Sequence, residues 1–155
     1  MSRNASAQRT PSVRSRMSPG VLTGYLLRVC TAAALITDAV VHLKDAPFYD
    51  ASTQALLSQG QLFRIQAGVA IVVAVAILAW PRRLVWVIAF LVAASAVAAV
   101  VLYTYVNVGS VAGLPAMYEP SWGPPGKALS AIAEGAAALF ALGGLAWSIQ
   151  RGRRA

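Results

Sequence analysis

Asp38 and His42 stand four positions apart in an otherwise apolar stretch, and on a helix that spacing puts both side chains on one face. Three further groups interrupt apolar stretches in the same way: Arg64, Gln66 and Glu134. If these stretches cross a bilayer, an ionisable group at mid-helix costs about 2.5 to 3.5 kcal/mol on insertion scales, so each needs a partner or a task. One arrangement is structural. Arg64 pairs with Glu134 or Asp38, His42 caps its helix near water, and such pairs add about 0.6 kcal/mol each to helix packing. The other is a polar pocket in which Asp38 and Glu134 are proton or ligand groups and Arg64 is an anion contact. The ion pair expected from their depths is Glu134 with Arg64, shared with Asp38 near the bundle axis.

The elements that must position these residues follow from hydropathy. Apolar runs extend over about 21–43, 62–80, 84–106 and 128–149. Each is long enough to cross a hydrocarbon layer of about 30 Å at 1.5 Å per residue. None alternates strictly as a membrane β-strand does. The fold expected is all-α: a four-helix transmembrane bundle over 20–150. A basic tail over 1–19, rich in Ser and Arg and unable to form a core, is expected to be disordered, and 151–155 forms a second basic tail. The start of the first run resembles a signal peptide, yet the apolar character continues past Ala34, so it is expected to stay as a helix.

Orientation follows from the basic residues. Arg3, Arg9, Arg14, Arg16, Arg82, Arg83, Arg151, Arg153 and Arg154 fall on one side with no acid among them. The other side, 44–61 and 107–127, has Lys44 and Lys127 as well as Asp45, Asp50 and Glu119. Basic-residue bias predicts both termini in the cytoplasm and a multi-pass location in the inner or plasma membrane. On that topology Asp38, His42, Arg64, Gln66, Tyr103, Tyr105, Asn107 and Glu134 all fall in the outer half. Arg28 lies near the cytoplasmic interface and snorkels to it. Of the outer loops, 50–60 reads as a short interfacial helix capped by Asp50 or Ser52, with Leu56 and Leu57 on the membrane and Gly60 as terminator. The loop 107–127, with Pro115, Pro120, Pro124 and Pro125, reads as ordered and non-helical, its Tyr118 and Trp122 folding back over the bundle. Close packing is expected along Ala133, Ala137 and Ala141, along Ala94 and Ala98, and at Gly20 and Gly24.

Composition closes off several functions. Of the 155 residues 58% are hydrophobic and 12% charged, against about a quarter charged in a soluble domain. The net charge of +8 comes from arginines flanking apolar runs, which does not make a nucleic-acid surface. One cysteine, Cys30, excludes an internal disulfide, a CxxC pair and a cysteine-built zinc site. One histidine, His42, cannot provide bis-histidine haem ligation within a single chain. No catalytic constellation, cofactor motif or metal motif is visible in the spacing.

Leu26, Leu27 and Arg28, then Ala133, Glu134 and Gly135 through Gly143, Gly144 and Leu145, resemble the DoxX-like small membrane proteins, with the acidic segment here in the fourth helix rather than the second. That resemblance implies four spans and a quinone-linked redox role. The stretch from His42 to Arg151, with its loop Tyr118 to Lys127, resembles uncharacterised four-span proteins of high-GC actinobacteria. The reading favoured by the residues is an accessory or scaffold membrane protein whose partners are the lipid bilayer and a membrane protein or a second copy of itself. A small proton-coupled or small-molecule transporter is the first alternative, and a DoxX-like redox protein the second.

Overall fold

In the computed structural model, residues 19–51 and 55–153 are described. The basic tail, apart from Pro19, the Ser52 cap and the last two residues of the chain lie outside them. Four helices make up the bundle: α1 Pro19–Asp45, α2 Gln59–Ala79, α3 Arg83–Tyr105 and α4 Lys127–Gly152. Each is long and apolar enough to cross a membrane, the architecture of a multi-pass membrane protein. Among the described residues there is no strand, only an isolated bridge between Val111 and Leu114.

Local chemistry sets most of the boundaries. The Ser58 side chain accepts from the Gln61 N–H while the Gln61 side chain accepts from the Ser58 N–H, a capping box that starts α2. Gly60 therefore lies inside the first turn of α2 and does not terminate a preceding helix. A Cβ at Gly60 would run into the Ala46 carbonyl and the Asp50 carboxylate. The short helical element of this loop is a 3-10 turn over Ala46–Tyr49, earlier than expected because Pro47 favours a helical start there. Within the described part of 50–60, residues 55–57 are bends. Pro81 ends α2, since it has no N–H to donate and restricts Trp80 before it. α4 continues through Gly152, so Arg151 is helical and lies 5.3 Å from the Trp147 ring centre.

The core reverses the habit of soluble proteins. Its buried apolar residues are mostly alanine, among them Ala39, Ala67, Ala70, Ala89, Ala137 and Ala141, while Leu, Val and Ile fill the exposed faces. Lipid solvates those larger side chains, and small ones let the backbones approach. The expected ridge of Ala133, Ala137 and Ala141 is buried. On α3 the buried face is Trp86, Ala89 and Ala93, with Ala94 half-buried against the core and Ala98 exposed. The fully buried Trp86 ring needs the missing side chain of Gly144, and the Trp147 ring needs that of Gly24. Gly20 has open space around it, so the two glycines of that motif do not act as a pair. α1 packs closely on α2 and α4, and α3 on α4, but α2 and α3 touch sparsely. The bundle is thus loosest along the α2–α3 seam.

Candidate functional site

The loop end of the bundle, where 46–51, 55–58 and 106–126 lie, is where polar groups gather. α4 begins at Gly126, whose φ of 90° suits glycine. A Cβ there would also strike Val41 and the Asp45 carboxylate, so its absence lets α4 start hard against the end of α1. The Ser130 N–H then bonds the Gly126 carbonyl at 2.7 Å, and Ser130 and Glu134 fall on one face of α4. They meet Asp38 and His42, the matching pair on α1.

The result is a buried tetrad. The Ser130 hydroxyl lies 2.7 Å from Asp38 Oδ1, 3.2 Å from Glu134 Oε1 and 3.5 Å from His42 Nδ1. His42 Nδ1 is 2.9 Å from Asp38 Oδ1 and 3.1 Å from the Asp38 carbonyl. Asp38 and Glu134 are each 1% exposed and His42 9%. Asp38 Oδ2 and Glu134 Oε2 meet no N–H or hydroxyl donor, but the two carboxyls lie within hydrogen-bonding reach of each other, so one proton held between them serves both. The edge of the Phe63 ring meets the His42 ring at 4.9 Å and fixes its orientation.

Arg64 is not part of this group. Its guanidinium makes two hydrogen bonds of 2.7 Å to Asp50, and both side chains are nearly half exposed. The expected Glu134–Arg64 pair is therefore replaced by Asp50–Arg64, because the buried stripe of α2 runs through Ala67, Ala70, Ala74 and Ile77 and leaves Arg64 beside it. The hydrogen bonds from Arg64 hold the Asp50 carboxyl below the ordinary carboxylate range. Arg28 Nε bonds the Gly24 carbonyl at 3.2 Å, towards the arginine-bearing end. Ser130 escaped the sequence reading, although it precedes Glu134 by the same four-residue step that links Asp38 and His42.

A cavity of about 470 Å³ adjoins the tetrad. His42, Ser130 and Glu134 form part of one wall. The sparse α2–α3 seam supplies others, with Leu62 and Gln66 from α2 and Ala99, Val100 and Tyr103 from α3. Met117 and Leu114 reach it from the proline-rich loop. That loop is held over the bundle by the Glu119 N–H on the Tyr103 carbonyl (3.0 Å) and by Lys127 Nζ, which bonds the carbonyls of Glu119 and Ser121. The Trp122 indole N–H reaches the Tyr105 hydroxyl at 3.4 Å, and Lys127 Nζ lies 5.3 Å from the Trp122 ring centre. Both Tyr118 and Trp122 keep about two-fifths of their surface exposed.

Comparison with known protein families, with curated proteins and with solved structures gives no match. The functional reading therefore starts from the geometry alone.

Proposed function

We propose that this membrane protein binds a small amphipathic molecule in the cavity at its loop end, polar head against His42, Ser130 and Glu134 and apolar body along the α2–α3 seam. The observation that carries this reading is the joining of a cavity of about 470 Å³ to the buried tetrad. That volume lies within the range of about 300 to 1,000 Å³ typical of small-molecule sites, which are largely apolar with a few convergent polar groups. Glu134 supports it, because its carboxyl is buried yet lines the cavity, where it favours a donor-bearing head group. A scaffold role leaves this cavity without a task. A plasma-membrane location with the loop end outside follows from the arginine bias, and it would open the site to the outer leaflet.

The test is purification in mild detergent, followed by mass spectrometry of retained small molecules and proteins. The wild type is expected to retain a small molecule in stoichiometric amount, and Ala99→Phe, which fills the cavity, to lose it. A stoichiometric protein partner with no small molecule would instead favour the scaffold role. Cysteines introduced at Ser121 and Arg153 should label from opposite sides, Ser121 from outside; the reverse would overturn the orientation.

A further inference from the structure

We propose that Asp38, His42 and Glu134 bind one divalent transition-metal ion, of the zinc or manganese class, at the wall of the cavity. This deepens the ligand-binding reading, on which only the use of the ion's open position rests.

Four observations converge. Each of the three residues offers a ligand atom, and these atoms lie within 4.8 Å of one another. Bonds of about 2.1 Å place the ligands of a tetrahedral ion about 3.4 Å apart, so the widest pair needs to close by at most about 1.4 Å.

The second observation is the pair of carboxyls of Asp38 and Glu134, each 1% exposed, which meet no other donor at Oδ2 and Oε2 and hydrogen-bond each other through a shared proton. A divalent cation displaces that proton and is bound by both. The third is charge. Two carboxylates and a neutral imidazole around a divalent ion sum to zero, which removes the cost of bare charge in an apolar bundle. The donor set itself, one imidazole nitrogen with carboxylate oxygens, suits zinc, iron or manganese over the soft copper(I) ion. The fourth is access. His42, Ser130 and Glu134 all line the cavity, so a position not taken by protein faces the space where a small molecule would sit. Ser130, with its hydroxyl on Asp38 Oδ1, then orients a ligating carboxylate.

The experiment uses full-length protein in dodecyl maltoside, stripped with a chelator and titrated with Zn²⁺ by calorimetry. Bound metal is counted by elemental analysis, and Mn²⁺ binding is followed by paramagnetic resonance. One ion per chain is expected. Glu134→Gln and His42→Gln should weaken Zn²⁺ binding at least about 100-fold, and Ser130→Ala about 10-fold, the effect typical of a residue that orients a ligand. Zinc content far below one ion per chain in the wild type overturns the proposal, and so does undiminished affinity in a folded Glu134→Gln protein. If both ligand variants fail to fold, Ser130→Ala and the wild-type stoichiometry decide. Ala99→Phe separates the two readings, since it is expected to keep the ion while losing the small molecule. A wild type that retains the small molecule but takes up no ion overturns the metal site alone.

Discussion

Replacing Ser130 by alanine removes one hydroxyl from the centre of the tetrad, and the structure sets the size of the effect. That hydroxyl has a single proton, given to Asp38 Oδ1 at 2.7 Å, with Glu134 Oε1 at 3.2 Å as the alternative acceptor. Hydrogen bonds to charged groups contribute about 1.5 to 3 kcal/mol, and the buried carboxyls lose the hydroxyl within reach of both. The loss should be about 2 kcal/mol. At about 2 to 4 °C per kcal/mol for a chain of this length, the midpoint falls by about 4 to 8 °C. Ser148→Ala provides a control on the same helix. Its hydroxyl bonds only the Leu145 carbonyl at 2.7 Å, an acceptor that the helix already serves, so its loss should stay within about 0.5 kcal/mol. The assay is thermal unfolding of chelator-treated protein in detergent, followed by circular dichroism. Equal losses in the two variants would refute the idea that the tetrad is a buried, energetically coupled group.

The Asp50–Arg64 pair should behave as a unit: Asp50→Asn and Arg64→Gln are expected to be less than additive, whereas Arg64→Gln with Glu134→Gln should simply add, as measured in a double-mutant cycle. Because Arg64 depresses the Asp50 carboxyl, the pair's contribution is present at neutral pH and fades as pH falls through the folded-state value, so Asp50→Asn should flatten the acid limb of the stability profile. At the opposite end of the bundle, Gly144→Ala forces a methyl into the Trp86 ring and should cost about 1 to 3 kcal/mol. Gly135→Ala, with open space at its Cβ, should be neutral or slightly stabilising in the same melting assay. Ser58→Ala removes the capping box of α2 and should lower stability by about 1 kcal/mol in that assay.

The spans were legible because a membrane helix satisfies its own backbone hydrogen bonds, so length and hydropathy along a local stretch are enough to define it. The same holds for Asp38 with His42, since the i,i+4 relation belongs to one helix. Ser130 with Glu134 obeys the same rule, and the capping box at Ser58 was equally local; both were open to sequence reasoning that looked for them. The partners across helices were not. Arg64 and Glu134 have similar depths on their helices, and depth alone suggested that they meet. Which face of α2 turns inward depends on how that helix is rotated about its axis. In lipid, hydrophobicity does not report that rotation, because the outward Val, Leu and Ile are as apolar as the inward Ala. The sequence by itself therefore determined four apolar helices and a concentration of polar groups towards one end of them. Only the tertiary structure decided that Arg64 belongs to Asp50, that Ser130 completes the buried group, and that loose packing of α2 on α3 leaves a cavity beside it. The placing of Ser130 beside Asp38 rests on the close approach of Gly126 to Val41, a contact between segments far apart along the chain.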